Sequence, residues 1–560
     1  MKPITKGLAG VAALVVAASL ALSGCSSNSP NSPGASGSGG QPSVVLSFGK
    51  PDGQLANNSS PFAPTSAAKD LGYLYAIYEP LVIANTIDPT QAPIPWLASA
   101  YKWNTDYTSI TFTVRDNVKW TDGQPLTADD VAYSIQIRKD NQALNGEALP
   151  YKDITTSGNT VTVTFTDSQY VNTSKVYGLF VIPKHIWDVP GKDLMTDLNQ
   201  NPVGTGPYIL KSWTQQAVIL TANPNYWGGV PAVQTIQYQS FNDNTALTNA
   251  LVAGQVQWGW GYIANYKTVF TDKDPAYRSW FPSGLGMDAM WLNCAKGPFA
   301  DVTLRKAVSM IIDRQVLSTS GSTGAAAPLT SVTGLPESLK SYISSDYQGQ
   351  TFSVDVDGAK ALLTQAGYTG VGTALTDPKG NKVSVTISVP AGWNDYQAEL
   401  QLIGDAMKKD LGMEVNVQNP TADTWGDNVN NGNFDAVLHW TDGGPTPFNL
   451  YSSIMNGSYL VPIGQQANYN YGRFDSKDAT AALQTYANAS SDADRTAAMA
   501  TIEKIFVEQV PAIPLLERPS WGQYSEKYYT GWPGPDNPYA DINMTLPSAT
   551  LVLTKLKPVS

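Results

Sequence analysis

Cysteine and histidine are scarce in this sequence of 560 residues, which contains two of each. Cys25 belongs to an N-terminal export segment, so Cys294 would stand alone in the processed chain and no intramolecular disulfide is expected. Cys294 is better explained as a small buried residue than as a nucleophile. With only His185 and His439 available, a catalytic zinc site and a histidine-based triad are both disfavoured.

Charged residues are also few, and basic residues are fewer than acidic ones. Asp, Glu, Lys and Arg make up 14% of the chain, and the formal net charge is −11. Without a basic excess, the chain is not expected to bind nucleic acid or an anionic membrane through a positively charged face. The net charge does not indicate whether a small ligand is acidic or basic.

Aromatic residues, by contrast, are abundant. The chain has 15 tryptophans and 28 tyrosines. Most of them are expected to pack in hydrophobic cores, but so many flat amphipathic side chains can also line a ligand cleft. The chain is too long for one hydrophobic core, so several domains are expected.

Residues 1–25 have the pattern of an export signal. Lys2 and Lys6 precede an apolar run at residues 8–22, which is shorter than the ~20 residues of a membrane-spanning helix. The Leu-Ser-Gly-Cys sequence that ends at Cys25 resembles a bacterial lipobox, which implies cleavage before Cys25 and lipid attachment to it. An ordinary small-residue cleavage site is the alternative. The Ser/Gly/Pro-rich residues 26–42 predict a flexible linker.

From residue 43 onward, short strands alternate with amphipathic helices, which predicts an α/β fold. Thr127 and Asp130 are spaced as a capping box at the start of a helix. That position explains Asp129 and Asp130 more simply than paired carboxylate chemistry does. Further helices are expected at residues 304–317, 395–411 and 494–509, and strands at residues 109–114, 434–440 and 510–516.

The most distinctive stretch runs from residue 201 to residue 229. Residues 202–208 (PVGTGPY) form a glycine turn that allows positive φ angles and close backbone approach. Two short apolar runs then predict a strand pair, and residues 223–228 (NPNYWG) close the unit as a turn. Because neither a Lys-Ser/Thr pair nor a helix follows the glycines, an ordinary hairpin turn is favoured over a phosphate-binding loop.

PVGTGPY followed by NPNYWGG resembles the solute-binding proteins of ABC importers, in the oligopeptide, dipeptide and nickel-binding group called family 5. Three further segments resemble the same family in the same order. They are residues 115–134 (RDNVKWTDGQPLTADDVAYS), 304–317 (LRKAVSMIIDRQVL) and 510–516 (VPAIPLL). The resemblance extends over residues 43–545. It is specific for the family but not for the ligand.

The resemblance implies an α/β fold of the periplasmic-binding-protein type (type II, cluster C), with two lobes around a cleft and an extra inserted subdomain. The first lobe is expected to be discontinuous and to comprise residues 43–66, 201–288 and 521–560. Residues 67–200 would form the inserted subdomain, and residues 289–520 the second lobe. Two strands, near residues 290–293 and 513–516, are expected to join the lobes.

The implied function is to capture a short solute in the cleft without covalent chemistry and to deliver it to an ABC permease. A ligand that bridges both lobes only in the closed form shifts the population towards that form. The protein is expected not to be an enzyme and to need neither a cofactor nor a metal. It is expected to be a monomer on the extracytoplasmic side, tethered to the cell membrane by its N-terminal lipid.

The candidate ligand-binding residues are Trp258, Trp260, Trp291, Trp393, Trp425, Trp440 and Asp442. The first two come from a segment in which aromatic residues and glycines alternate, for which packing at a sheet edge is the alternative. Peptide binders of the family carry an aspartate in the loop that matches Asp442, where it pairs with the free amine of the peptide. Here the spacing is one residue shorter and Gly443 replaces a tyrosine, so that the two glycines 443 and 444 would open space beside a wide ligand.

Tryptophan side chains can stack on the apolar faces of sugar rings. Residues 443–447 (GGPTP) and 531–539 (GWPGPDNPY) look similar to family members that bind β-linked oligosaccharides. A short β-linked oligosaccharide is therefore favoured over an oligopeptide, and nickel is disfavoured because histidine is rare. A secreted glycoside hydrolase with two carboxylates is a remote alternative, since no carboxylate pair stands out among 46 acidic residues. A purely structural surface lipoprotein is the third alternative.

Overall fold

The computed structural model describes residues 44–51 and 55–559. The predicted export signal, the linker and the lipid-bearing Cys25 lie outside these residues. Within them the chain is a mixture of helices and strands, and three of the sheets have four or more strands. The α/β class that the sequence predicts is therefore confirmed.

The large sheet has seven strands, which come from distant parts of the chain. In spatial order they are Tyr277–Ser279, Gln523–Ser525, Trp258–Gly259, Leu46–Lys50, Thr235–Ser240, Ala217–Ala222 and Tyr208–Trp213. The Leu46–Lys50 strand runs parallel to both of its neighbours, and the other pairs are antiparallel. The Asn244–Val252 helix packs Leu247 and Leu251 against one face.

The predicted hairpin after the PVGTGPY turn is present, but the two glycines serve a different purpose from the one their spacing first indicates. Neither Gly204 nor Gly206 has a positive φ angle. A Cβ atom at Gly204 would instead lie 2.0 Å from the carbonyl oxygen of Ile77, and one at Gly206 would lie 2.4 Å from that of Ala76. The turn needs glycine because it lies directly against the backbone of a short helix, Leu74–Ile77.

A buried glutamate explains the aromatic turn that follows this hairpin. Glu79 is fully buried and accepts hydrogen bonds from the indole N–H groups of Trp96 and Trp227 and from the hydroxyl of Tyr226. Burial raises the pKa of Glu79, and these donors oppose that shift. Through Glu79, the turn at residues 223–228 is thus linked to Trp96, which lies just before the first strand of the small sheet.

The small sheet has four antiparallel strands, in the order Ala98–Trp103, Ser109–Val114, Thr160–Phe165 and Tyr151–Ser157. Its covering helix, Ala128–Asp140, begins with the predicted capping box. Thr127 accepts a bond from the backbone N–H of Asp130, and Asp130 accepts one from the N–H of Thr127. Asp130 also accepts a bond from the N–H of Lys184, so its role is structural.

The second sheet has five strands, in the order Glu414–Gln418, Ser384–Ser388, Ala436–Trp440, Ser283–Leu292 and Ala512–Pro519. Helices cover both of its faces, and each face has its own hydrophobic core. The helices of one face are Val302–Ile311, Val356–Gln365 and Asn394–Ala406. Those of the other face are Ala422–Asn431, Phe448–Met455, Lys477–Asn488 and Asp492–Gln509.

The expected helix at residues 304–317 is shorter than its apolar pattern indicates. It ends at Ile311, because Ile312 is extended. Asp313 then accepts a hydrogen bond from the N–H of Val316 and starts a separate turn. The helix at 395–411 similarly ends at Ala406 and continues as a wider turn to Leu411.

The remaining elements are short. The helices are Ala67–Leu71, Leu74–Ile77, Thr173–Tyr177, Lys184–Trp187, Tyr266–Val269, Arg314–Val316 and Ala549–Lys555. The strands are the pairs Val82–Ile83 with Ile94–Pro95, and Tyr529–Thr530 with Lys557–Pro558.

The chain passes twice between the large sheet and the second sheet. Ser279 pairs with Gln523 in the large sheet, and Ser283 pairs with Pro519 in the second sheet. The two passages are therefore residues 280–282 and residues 520–522, and they lie side by side.

These passages are not where the sequence places them. Met290 pairs with Ile513 inside the second sheet, and both residues are fully buried. The expected boundary between residues 288 and 289 likewise falls inside the Ser283–Leu292 strand. The apolar pattern of a buried strand does not mark where that strand leaves its sheet, so the sequence located the strands but not the passages.

Candidate functional site

A cavity of about 1050 Å³ lies among the three sheets. Residues of the large sheet and its loops, of the second sheet and of the small-sheet region all contribute to the wall. Its volume is at the upper end of the ~300–1,000 Å³ range of ordinary small-molecule pockets. The cavity is therefore large enough for an oligomeric ligand.

Three of the predicted tryptophans lie on the wall of this cavity. They are Trp260, Trp393 and Trp440, and all three are partly buried. The rings of Trp393 and Trp440 are 5.7 Å apart, and the His439 ring stacks on Trp440 at 4.2 Å. Trp521, which the sequence did not single out, lies on the wall as well.

The other three predicted tryptophans are core residues and do not line the cavity. Trp258 is fully buried in the core of the large sheet and donates to the carbonyl of Ile542. Trp291 is 1% exposed and donates to the carbonyl of His439. Trp425 is 5% exposed and packs behind Trp393, with 5.2 Å between the rings. Neighbouring side chains separate these indoles from the cavity, which the sequence could not indicate.

Asp442 lies in the loop after the Ala436–Trp440 strand, but it is not among the residues of the cavity wall. Burial raises the pKa of Tyr471 to about 12, and the negative charge of Asp442 adds to that shift. Gly443 and Gly444 do lie on the wall. However, a Cβ atom at Gly443 would lie 2.8 Å from the backbone of Leu285, so that glycine permits close packing of the loop as well as leaving space.

Sequence reasoning missed the charged residues of the wall. Asp288, Asp395 and Arg518 all line the cavity, together with Tyr396. The hydroxyl of Tyr396 donates to Asp288 at 2.7 Å, and the guanidinium of Arg518 lies 4.8 Å from the centre of the Trp440 ring. A signal for Asp288 was available, because it is the one charged residue of the ten-residue strand SGLGMDAMWL.

Burial dominates the electrostatics of these groups. It raises the pKa of Asp288 to about 6, against the opposing effects of Arg518 and Tyr396. It also raises the pKa of Asp395 to about 6, and the neighbouring charge of Asp288 adds to that shift. Burial lowers the pKa of His439 to about 4, so this ring is neutral at pH 7 and behaves as one more aromatic surface.

This arrangement suits the non-covalent recognition of a ligand with apolar faces and hydrogen-bonding groups. Flat indole rings provide stacking surfaces, and carboxylates and amides provide acceptors and donors. In the part of the chain that the structure describes, no cluster of three or more His, Cys, Asp and Glu side chains could hold a metal ion. None of the helices in residues 44–51 and 55–559 has the length and apolarity needed to span a membrane.

Two helix-covered sheet units joined by two short passages, with a large cavity between them, define a two-lobed ligand-binding protein. Comparison with known proteins agrees. Residues 92–459 match the model of the family described as bacterial extracellular solute-binding proteins, family 5 Middle. The chain belongs to this family, whose members serve ABC importers outside the cytoplasm.

Individual relatives are moderately similar over most of their length. The chain is 26% identical to the periplasmic murein peptide-binding protein MppA of Escherichia coli, over 79% of this chain and 82% of the relative. It is 28% identical to the oligopeptide-binding protein AppA of Bacillus subtilis, over 59% and 62%. The names of both relatives describe them as binding proteins.

A solved structure shows the same fold. It is a periplasmic oligopeptide-binding protein of an ABC transporter from Thermotoga maritima, crystallised with bound mannohexaose. The two chains are 23% identical, the TM-score is 0.77, and the match covers 92% of this chain and 99% of the other. The two-lobed periplasmic-binding-protein fold that the sequence predicts is therefore confirmed.

Proposed function

We propose that this protein binds a short β-linked oligosaccharide in the cavity and delivers it to the permease of an ABC importer. The observation that carries the proposal is the set of indole rings on the cavity wall, contributed by Trp260, Trp393 and Trp440. Trp260 comes from the large-sheet side and the other two from the second-sheet side. A ligand between them would contact both lobes.

The polar groups around these rings fit the same ligand class. Asn242 lies on the wall, and its amide can both donate to and accept from sugar hydroxyls. Few of the wall residues are cationic, so the cavity is not suited to a strongly anionic ligand. The Thermotoga protein that was crystallised with mannohexaose shows that this fold can hold an oligosaccharide.

An oligopeptide is the second candidate, and a specific observation favours it. The carboxylates of Asp288 and Asp395 lie on the wall, where they could pair with the amine of a peptide. The names of MppA and AppA describe both of these relatives as peptide-binding proteins. Asp442, which the sequence indicates for this role, is not among the residues of the cavity wall.

We further propose that Cys25 carries a lipid that anchors the protein to the outer face of the cytoplasmic membrane, and that the protein acts as a monomer. The lipobox-like sequence before Cys25 supports the anchor. The linker that follows would leave the binding unit free to rotate above the membrane. A mass measurement on protein from membranes would identify a diacylglyceryl group on Cys25, and an unmodified N-terminus would contradict the anchor.

Calorimetric titration of the purified chain with oligosaccharides and oligopeptides tests the ligand class. We expect micromolar or tighter binding of at least one of the β-linked glucose, mannose or xylose tetramers. Trp393→Ala and Trp440→Ala should each weaken that binding about tenfold, which corresponds to about 1.4 kcal/mol of lost stacking.

Trp213→Ala is the matched control, because Trp213 is also partly buried but packs at the edge of the large-sheet core, away from the cavity. Binding by this variant should equal that of the unchanged protein. Binding of peptides alone would reject the oligosaccharide. Sugar binding that survives both cavity substitutions would reject the stacking surface.

A further inference from the structure

Six tyrosines lie on the cavity wall, and most of their hydroxyls are already bonded within the protein. The bonded hydroxyls are those of Tyr177, Tyr262, Tyr342 and Tyr396. The hydroxyls of the other two, Tyr107 and Tyr170, have no hydrogen-bond partner among the residues that the structure describes. Each of these two can therefore bond to a ligand without first giving up a protein partner.

Tyr107 and Tyr170 form a pair that two loops of the small sheet bring together. Tyr107 lies in the turn before the Ser109–Val114 strand, and Tyr170 follows the Thr160–Phe165 strand. The N–H of Gln169 donates to the carbonyl of Tyr107 at 2.8 Å. The centres of the two tyrosine rings are 5.2 Å apart, with an angle of 85° between their planes. These contacts hold the two side chains beside each other.

The backbone of Tyr107 has an unfavourable conformation. Its φ angle is 56°, in a region that asparagine adopts more readily than tyrosine does. The carbonyl of Asn104 accepts a hydrogen bond from the N–H of Tyr107 at 3.2 Å, and the side chain of Asn104 accepts bonds from the next two N–H groups. Strain that the surrounding structure imposes in this way is concentrated at functional sites. It is a second observation that points to Tyr107 as a ligand-binding residue.

Tyr170 is held by the second-sheet unit as well. The guanidinium of Arg495 lies 3.7 Å from the centre of the Tyr170 ring, and Arg495 is itself paired with Asp492 at 2.9 Å. The next residue, Val171, is 3% exposed and belongs to one of the hydrophobic cores of the second sheet. Because the Tyr170 ring is fixed before a ligand arrives, its hydroxyl can bind with little further loss of entropy.

The tyrosine pair is separate from the indole surface of the cavity. In the described chain its other ring contacts are with Trp103 and Tyr486, and not with any indole of the wall. Thr173 and Ser174 lie on the wall shortly after Tyr170, and neither side chain is hydrogen-bonded to another described residue. This part of the wall therefore presents four hydroxyl groups.

The same part of the wall is uncharged. Within residues 84–177, all of which the structure describes, none of the wall residues is acidic or basic. Burial raises the pKa of Tyr170, so this phenol keeps its proton at neutral pH. Hydroxyl groups both donate and accept hydrogen bonds, as sugar hydroxyls do, whereas a charged ligand group would find no counter-ion here.

We propose that Tyr107 and Tyr170, together with Thr173 and Ser174, form a second subsite, which binds the hydroxyls of an uncharged sugar unit other than the one stacked on the indoles. This subsite rests on the proposed function, since it requires an oligosaccharide in the cavity. It implies that the affinity depends on chain length, because only a ligand that is long enough reaches both subsites.

The test is a calorimetric titration with β-1,4-linked trimers and hexamers of glucose, mannose and xylose. We expect one hexamer to bind the unchanged protein about tenfold more tightly, or better, than its own trimer. Tyr107→Phe and Tyr170→Phe keep the rings and remove the hydroxyls. Each should weaken binding of that hexamer about three- to tenfold, as the loss of a neutral hydrogen bond does, and leave binding of the trimer unchanged.

Tyr133→Phe is the matched control. Tyr133 lies on the Ala128–Asp140 helix of the same unit and is also partly buried. Its hydroxyl likewise bonds to no described residue, but it is not on the cavity wall. This variant should bind both oligomers normally, and an equal loss of hexamer affinity here would overturn the assignment to the tyrosine pair. Unchanged trimer binding by the two cavity variants would show that they are folded.

The remaining outcomes separate the second subsite from the proposed function. If trimer and hexamer bind the unchanged protein equally well, or if both cavity variants bind the hexamer normally, the second subsite is wrong and the oligosaccharide function stands. If the variants weaken trimer and hexamer by the same factor, the tyrosines do not form a separate subsite. If none of the three sugar series binds, both proposals are wrong.

Discussion

At the scale of single residues, the buried charge of Asp395 is expected to lower the free energy of unfolding by a measurable amount. Its pKa of about 6 lies above the value of 3.8 for an unperturbed aspartate, so the folded state binds the proton more readily than the unfolded state. The contribution of Asp395 to stability therefore falls as the pH rises from about 4 to about 6, and is constant at higher pH.

We expect Asp395→Asn to raise the free energy of unfolding of the ligand-free protein by about 1–2 kcal/mol at pH 7.5. This is less than the full shift implies, because the neighbouring Asp288 titrates over the same pH range as Asp395. The gain should vanish near pH 4, where Asp395 is already protonated. Urea unfolding at the two pH values measures both effects, with the exposed Asp405→Asn as the reference. Destabilisation at pH 7.5 would mean that Asp395 has a structural partner.

Single residues also mark the limit of what the sequence could predict about the site. The abundance of tryptophan indicated an aromatic cleft, and three of the six chosen indoles lie on the wall of the cavity. Trp258 and Trp260 are separated by one glycine, yet the first is fully buried and the second lines the cavity. The strand ends at Gly259, so simple alternation does not extend to Trp260.

At the scale of elements, the PVGTGPY turn depends on the absence of side chains. The carbonyl oxygen of Ile77 would lie 2.0 Å from a Cβ atom at Gly204. The same oxygen accepts a hydrogen bond from the N–H of Gly206, which holds the Ile77 backbone in place. We expect Gly204→Ala to lower the free energy of unfolding by about 2–3 kcal/mol, because the clash is with backbone and not with a flexible side chain.

Gly146 provides the comparison for this substitution. An alanine there meets no atom within 4 Å, and its φ angle is not in the left-handed region. Gly146→Ala should therefore change stability by less than about 0.5 kcal/mol. Thermal unfolding of the two variants measures the difference. Equal stability of the two would mean that the turn can move away from the Leu74–Ile77 helix.

The elements themselves were largely predictable, because their patterns are local. The capping box at Thr127 and the helix that ends at Gln509 follow from residues within a few positions of each other. The pairing of Leu46 with Ile236 joins residues far apart in the chain, and no local pattern specifies it. Family resemblance supplied that part of the architecture, and the passages between the sheets were missed for the same reason.

At the scale of the whole molecule, the large-sheet and second-sheet units also touch beside the cavity. The N–H of Asn265 donates to the hydroxyl oxygen of Thr323 at 3.0 Å, and the hydroxyl of Tyr262 lies 3.3 Å from the same atom. Asn265 and Thr323 both have positive φ angles. Asparagine adopts this conformation comparatively often, but a β-branched residue such as threonine rarely does. Contacts that maintain such strain are expected to act in a conformational change.

If these hydrogen bonds exist only when the lobes are closed, they contribute to ligand affinity without touching the ligand. Thr323→Val removes the acceptor and keeps the shape of the side chain. We expect it to weaken ligand binding two- to fivefold, which corresponds to about 0.5–1 kcal/mol. Thr323→Ser keeps the hydroxyl and should bind normally in the same calorimetric titration. Solution scattering should show a smaller ligand-induced compaction for Thr323→Val at a fixed, sub-saturating ligand concentration. Identical affinity and compaction in both variants would mean that the lobes close without these bonds.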